Sequence, residues 1–109
     1  MQERTRGSFT ISGRERIAEG ADLRVSILTL GEGECIPWHY HSETSDDMLC
    51  MEGVVVVETR APRRVHELRP GERCTIAPKT AHHVHGKDGG PCRFLIVQGV
   101  GVYDWMPVG

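Results

Sequence analysis

The sequence of 109 residues has no long apolar run, no close pair of cysteines and no large excess of charge of either sign. Without an apolar run of about 20 residues it contains no candidate membrane span, and it shows no N-terminal run of signal-peptide length. The formal net charge of −2 indicates no basic patch for a nucleic acid or a membrane surface. We therefore expect a cytoplasmic protein without nucleic-acid or membrane partners.

The four cysteines are widely spaced, at Cys35, Cys50, Cys74 and Cys92. A cysteine-based zinc site favours close CxxC pairs, and the sequence has none. In a reducing compartment these thiols are expected to stay free and to pack as small hydrophobic groups.

Arginines are frequent at the start of the chain, but acidic residues lie among them. We interpret this stretch as solvated surface, with Arg4, Arg6, Arg14 and Arg16 alternating with Glu3, Glu15 and Glu19.

A helical stripe of useful length is also missing. Thirteen glycines and six prolines instead separate short β-forming runs, a pattern typical of a sandwich or barrel of short strands. The four valines that begin at Val54 indicate a strand buried on both faces. The runs predict strands at 23–30, 35–41, 48–51, 54–59, 65–68, 74–77, 82–85 and 94–97.

The length fits one domain. We assign residues 21–109 to a single antiparallel barrel and residues 1–20 to an N-terminal segment that forms a strand or an interface arm. Within that segment, residues 14–19 are long enough for one helical turn between Gly13 and Gly20.

Two of the six histidines, His39 and His41, lie two residues apart in a predicted strand. Alternate strand residues leave on the same face, so this spacing can present two imidazoles to one metal ion. Asp46 and Asp47 follow across a short turn, and the returning strand can bring a carboxylate to the same point.

These residues resemble the first motif of the cupin superfamily, a glycine, a His-x-His pair, an acidic residue and a closing glycine. The matching positions are Gly33, His39, His41, Asp46 and Gly53, with aspartate where that family usually has glutamate. The stretch from Gly71 to Gly86 resembles the second motif and supplies His82, with Lys79 in place of a glycine.

The resemblance implies an all-β, double-stranded β-helix (jelly-roll) barrel that holds one divalent metal ion inside its mouth. His39, His41 and His82 match the ligand positions. Asp46 matches the fourth, where it binds directly, through water, or as an acceptor for an imidazole N–H. Imidazole with carboxylate suits Fe, Mn, Ni, Cu or Zn.

The remaining histidines have structural explanations. If His82 points inward, then His83 and His85 point outward, and His66 lies in an arginine-rich, exposed stretch. Asp47 and Glu43 are interpreted as solvated turn residues. Either of them takes the place of Asp46 as the acidic ligand if the turn after His41 differs from the predicted one.

Strand parity also predicts the substrate pocket. Met48 and Cys50 share the face of Asp46, and Phe94 and Gln98 share a face on the last long strand. We expect these four residues to line the cavity, with Gln98 as a polar contact for substrate. Tyr103 and Trp105 are expected to cap the core.

The same parity predicts an interface. If His39 and His41 face inward, Cys35 and Pro37 also face inward, while Trp38 and Tyr40 face outward. Two outward aromatic rings on a small barrel indicate a subunit contact, so we expect a homodimer.

An open divalent ion can polarise a carbonyl or activate bound water or dioxygen. The first hypothesis is a metal-dependent enzyme acting on a small oxygen-rich or carbonyl substrate, with dioxygenase-type chemistry favoured. The second is a non-catalytic module that uses the metal to anchor or sense a small ligand. A non-redox isomerase or sugar-processing enzyme is the third.

Overall fold

The computed structural model describes residues 9–109, so the interpretation of Glu3, Arg4 and Arg6 and the start of the N-terminal segment lie outside the described residues. The described part is almost entirely β-strand, and its one helical element is a 3₁₀ turn at Lys87–Gly89. No helix within it is long and apolar enough to cross a bilayer. The strands are β1 Gly13–Glu19, β2 Leu23–Leu30, β3 Cys35–Tyr40, β4 Ser45–Gly53, β5 Val55–Arg60, β6 Arg63–Leu68, β7 Arg73–Ile76, β8 His82–Gly86, β9 Cys92–Gly99 and β10 Met106–Pro107.

Two five-stranded antiparallel sheets face each other and enclose the core. Their strand orders are β1-β2-β9-β4-β7 and β10-β3-β8-β5-β6, so strands distant in sequence lie side by side. This arrangement confirms the all-β barrel. It also brings the starts of β4 and β8 and the end of β3, which carry the acidic and histidine motifs, to one end of the barrel interior.

The first strand excludes the helical turn that residues 14–19 are long enough to form. Residues 13–19 form β1, paired antiparallel to β2, and not a helical turn. The alternation of Arg14 and Arg16 with Glu15 is compatible with either structure over so few residues. β1 lies at the edge of its sheet, and the pairing with β2 gives hydrogen-bond partners to the backbone groups on one side along most of the strand, more than a single helical turn provides.

Alternate residues of β2, β4, β8 and β9 fill the space between the sheets. On β5, Val55, Val56 and Val57 are all buried, as the run of valines predicts. The other buried members of the core are Leu28, Leu30, Ile36, Met48, Cys50, Leu68, Ile76, Val84, Cys92, Phe94 and Ile96. All four cysteines are free thiols, and the two in this core behave as small hydrophobic residues.

A β-bulge in β3 overturns the expected facing of its first half. The register to β8 shifts between Ile36 and His39, so Ile36 is buried while Cys35 and Pro37 are only half-buried. The extra residue in the bulge reverses which side chains face the core in the part of β3 that precedes His39. The prediction that Cys35 and Pro37 face inward, which assumed unbroken alternation, is therefore wrong.

Two positive-φ residues fix the turns that hold the histidine strands. Gly53 ends β4 at φ 73°, and a Cβ there would lie 2.4 Å from the carbonyl oxygen of Pro91. Lys79 has φ 63°, the left-handed conformation for which the resembled motif uses glycine. The Lys79 N–H donates to the carbonyl of His41 at 2.7 Å, which fastens the loop before β8 to the end of β3.

Candidate metal centre

Four potential metal ligands converge at one end of the barrel. His39 lies near the end of β3 and His41 just beyond it, while Asp46 and His82 lie at the starts of β4 and β8. Each side chain is almost fully buried, and one ligand atom from each lies within 4.8 Å of the others. The ring centroids of His39 and His82 are only 4.2 Å apart.

The carboxylate of Asp46 lies against two of the imidazoles. Its Oδ2 is 2.8 Å from Nε2 of His82 and 3.1 Å from Nε2 of His41. Ligand atoms that bind one ion at about 2.0–2.2 Å are separated by about 3 Å along an octahedral edge. The shorter aspartate therefore reaches the position of a direct ligand without a bridging water.

The other ring nitrogen of each histidine contacts a backbone carbonyl. The Nδ1–H of His39 donates to the carbonyl of Pro37 at 2.7 Å. The Nδ1–H of His41 donates to the carbonyl of Asp104 at 2.5 Å, and that of His82 donates to the carbonyl of Thr80 at 2.8 Å. A carbonyl oxygen only accepts, so these bonds place the hydrogen on Nδ1. They fix the ring orientations and leave each Nε2 lone pair for an ion.

Two of the imidazoles lie between acceptors. His41 and His82 each face an acceptor at both nitrogens, a carbonyl at Nδ1 and the carboxylate at Nε2. A neutral imidazole has one N–H and can satisfy only one of them. An additional proton or a metal ion between imidazole and carboxylate satisfies both groups, and the positions of the four side chains fit a divalent metal ion.

The pKa shifts fit this distribution of charge. Burial and the neighbouring His82 lower the pKa of His39 to about 3, so His39 is neutral at physiological pH. Burial is the largest single influence and lowers the pKa of His41, but the hydrogen bond to Asp46, the charge of Asp46 and the contacts with Asp104 together exceed it, so the pKa of His41 is raised. Burial likewise disfavours a charged Asp46, yet the bonds from His41 and His82 lower the pKa of that carboxyl.

A row of side chains extends from the carboxylate across the first sheet. Asp46 pairs in register with Gln98, which pairs in register with Arg24. The Gln98 amide Nε2–H donates to Oδ1 of Asp46 at 3.0 Å, which leaves Oδ2 directed at the imidazoles. Gln98 therefore orients the carboxylate.

The centre adjoins a small cavity of about 30 Å³. His39, Asp46, Met48 and Gln98 form part of its wall, and Arg24 is another part. The remaining lining residues are Phe9, Arg14, Arg16, Ser26, Leu28, Ile36, Val84, Ile96, Tyr103 and Trp105.

Comparison with known proteins bears on the fold. No protein-family profile matches the chain, and no curated protein matches it. Solved structures do match. A protein from Klebsiella pneumoniae with a double-stranded β-helix domain is 18% identical and superposes with a TM-score of 0.75, covering 99% of this chain and 91% of that one. The chain has the cupin fold.

Two further cupin-fold structures show how widely this barrel is used. A cupin-2 domain protein from Shewanella frigidimarina is 21% identical with a TM-score of 0.67, covering 83% of this chain and 82% of that one. An oxalate decarboxylase from Lactobacillus farciminis, solved as a formate complex, is 17% identical with a TM-score of 0.69, covering 80% of this chain but 27% of that one. Identities this low show the fold alone.

Of the four residues expected from strand parity to line the substrate pocket, two lie on the cavity wall and two do not. Met48 and Gln98 lie on the cavity wall, whereas Cys50 and Phe94 point to the same side but lie in the packed core, away from that wall. Glu43 is exposed and accepts from the Val102 N–H at 3.0 Å.

The outer aromatic residues are partly covered by their own chain. Trp38 and Tyr40 are half-buried. Trp38 stacks on His83 with ring centroids 5.4 Å apart, and the guanidinium of Arg60 lies 4.2 Å from the centre of its ring.

The C-terminal segment supplies residues that sequence patterns did not place near the metal centre. Trp105 stacks on His39 with ring centroids 4.9 Å apart, and Tyr103 lies 5.2 Å from His41. Asp104 between them accepts from the Ser42 N–H at 2.7 Å, which anchors the segment. An irregular segment has no periodicity that reveals this approach.

Arg24 was also missed, although period two offered a signal. Ser26, Leu28 and Leu30 are buried, and Arg24 shares their parity on β2. Its guanidinium lies 3.7 Å from the ring centre of Tyr103. Arg14 is exposed as expected, but it lines the cavity together with the half-buried Arg16.

Proposed function

We propose that this chain is a metal-dependent enzyme that acts on a small, oxygen-rich anion of the carboxylate class, with dioxygenase-type chemistry as its favoured form. The observation that carries the proposal is the buried group of three imidazoles and one carboxylate, whose outer nitrogens are all fixed by backbone carbonyls. This group lies beside a cavity whose wall includes arginines.

The residues present fit a divalent ion. His39, His41, His82 and Asp46 would hold it, through three neutral imidazoles and one negative oxygen. Such a ligand set leaves about one positive charge on the centre, which favours an anionic substrate. When bound, the ion supplies Lewis-acid polarisation of a substrate oxygen or activation of water or dioxygen.

Arg24 supports the choice of an anion. It lines the cavity, and its buried Nε has no hydrogen-bond partner within residues 9–109. Stacking against Tyr103 holds the guanidinium plane in place. A carboxylate is a geometric match for a guanidinium, because two parallel N–H donors can meet its two oxygens.

Arg16 adds positive charge to the same wall, although Glu19 shares it. Its Nε donates to Ser26 at 2.8 Å, and its second nitrogen pairs with Glu19 at 2.7 Å. We therefore assign Arg24 the main role in binding the anion and Arg16 a smaller electrostatic one.

The cavity limits the size of the substrate. Its volume of about 30 Å³ matches roughly two water molecules, at about 10–15 Å³ each. A substrate that fits has few heavy atoms, or extends outward past the aromatic rings of Tyr103 and Trp105. The structurally similar oxalate decarboxylase was solved as a formate complex, so formate and oxalate are suitable probes.

The test combines metal identity with anion binding. Protein purified anaerobically is analysed for its metal, because the dioxygenase form requires a redox-active metal such as iron or copper. The metal-loaded protein is then titrated with formate, oxalate and pyruvate, and dioxygen consumption and products are followed.

We expect saturable binding of at least one of these anions, weakened about tenfold or more by Arg24→Met. Arg93→Met is the matched control, because Arg93 lies outside the cavity lining and pairs with Glu52. Equal binding by wild type and Arg24→Met would contradict the proposed anion site. Binding without turnover would identify the metal-anchored binding module instead of the enzyme.

A further inference from the structure

A second group of metal-binding side chains lies on the opposite face of the strand that carries His82. Along β8, His82 and Val84 are buried, while His83 and His85 alternate with them and face outward. Glu58 on β5 pairs in register with His83. Glu58, His83 and His85 together are called the outer cluster below.

The outer cluster has the dimensions of an ion site. One ligand atom from each residue lies within 4.8 Å of the other two. Oε2 of Glu58 is 2.6 Å from Nε2 of His85 and 3.9 Å from Nδ1 of His83. Ligand atoms around a tetrahedral ion bound at about 2.0–2.1 Å are about 3.4 Å apart, so small side-chain rotations reach that geometry.

The hydrogen-bond pattern of the inner centre recurs here. Nδ1–H of His85 donates to the carbonyl of Gly86 at 2.8 Å, so the lone pair of its Nε2 faces the Glu58 carboxylate. Nε2 of His85 and Oε2 of Glu58 are then both acceptors, and no proton lies between them unless the imidazole is charged. A metal ion fits this position as well as an additional proton does.

A stacking contact orders one of the two imidazoles. Trp38 stacks on the His83 ring with an interplanar angle of 24°, which restricts its orientation.

We propose that Glu58, His83 and His85 form a second divalent transition-metal site, separate from the inner centre. Two imidazoles and a carboxylate suit zinc, nickel or copper, and three protein ligands leave a coordination position open to water or to an external ligand. In the single chain the three side chains are each about a quarter exposed, at 23–24% of their surface, so the cluster lies at the protein surface.

Counting bound ions tests the site with Zn²⁺ as the probe. Wild-type protein is dialysed against excess Zn²⁺ at neutral pH and analysed for zinc per chain. We expect two ions in wild type, one in His85→Ala, one in His41→Ala and none in the double variant. His66→Ala is the control and should retain two, because His66 belongs to neither ligand group.

A shape-conserving variant guards against effects on folding. Glu58→Gln should weaken the second Zn²⁺ equilibrium in isothermal titration by at least tenfold and leave the first unchanged. The proposal is overturned if wild type binds one ion and His41→Ala binds none, or if His85→Ala and Glu58→Gln both keep the second ion. A single ion lost in His85→Ala but kept in His41→Ala would support the outer cluster and contradict the inner centre.

Discussion

Replacing Asp46 by asparagine separates the role of its charge from the role of its shape. The side chain is buried, and its two oxygens have different partners. Oδ1 accepts from the Gln98 amide, while Oδ2 lies between the Nε2 atoms of His41 and His82. Asparagine has the same heavy-atom shape but offers an NH₂ group in place of one oxygen.

We expect the metal-free variant to fold normally at neutral pH. The asparagine oxygen can keep the bond from Gln98, and its NH₂ can donate to the two Nε2 lone pairs that remain when Nδ1 carries the hydrogen. Each such bond contributes a net of about 0.5–1.5 kcal/mol, and the variant exchanges bonds without losing any. The variant does lose the stability that the lowered pKa of Asp46 contributes at neutral pH, because asparagine resembles the protonated acid, so the free energy of unfolding should fall by about 1–3 kcal/mol.

Metal binding should respond very differently. With its oxygen directed at Gln98, the amide presents N–H groups to the ion and supplies no ligand atom. A partner that merely orients a ligand changes affinity by roughly 10–100-fold. A direct ligand predicts a loss beyond about 100-fold, which corresponds to about 2.7 kcal/mol or more and matches the loss in His41→Ala.

Isothermal titration with Zn²⁺ and urea unfolding of the metal-free protein measure the two effects. Asp47→Asn is the matched control. Asp47 is the next residue in the chain but belongs to neither ligand group, so its substitution should change neither the metal affinity nor the stability. Metal affinity within threefold of wild type would refute the assignment of Asp46 as a ligand. A loss of 10–100-fold that is smaller than that of His41→Ala would make Asp46 a positioning residue.

Three further results are expected. Gly53→Ala should destabilise the fold by about 2–3 kcal/mol in urea unfolding, because Gly53 has a positive φ and a backbone carbonyl close to the position of the added Cβ. Gly20→Ala should have little effect, because the space around Gly20 is open. Equal stability of the two variants would contradict this prediction. In metal-free protein the raised pKa of His41 contributes stability at low pH that is lost as pH rises through that pKa. The lowered pKa of His39 contributes stability that is lost as pH falls below about 6.5, and the lowered pKa of Asp46 contributes stability that is lost as pH falls below about 4. Unfolding followed from pH 3 to 9 should thus show a maximum at about pH 6.5, and stability that rises steadily to pH 9 would contradict it. Light scattering at micromolar concentration should show a homodimer that Trp38→Glu shifts toward monomer, and a monomeric wild type would rule out that interface.

Much of the metal centre was predictable because it depends on short-range spacing. His39 and His41 share a face by strand parity, and resemblance to two motifs added Asp46 and His82. Their mutual distances and the carbonyl partners of each Nδ1 depend on strand pairing between distant segments. No local pattern contains that information.

The errors have equally physical causes. A bulge in β3 adds one residue and reverses the facing of Cys35, which simple alternation does not anticipate. Arg24 shares the parity of Leu28 and Leu30 but lies between Leu23 and Val25, so the alternation on β2 is compatible with either facing. It faces inward because this end of the barrel interior contains a polar cavity and not a hydrocarbon core.

The most direct test of the metal centre is the metal content of single histidine variants. Measured in a His85→Ala background, the count excludes the outer cluster. We expect about one divalent ion per chain in that background, and little or none after His39→Ala, His41→Ala or His82→Ala. His66→Ala should leave the ion in place, whereas near-stoichiometric metal in any two of the three inner variants would contradict the assignment of the centre.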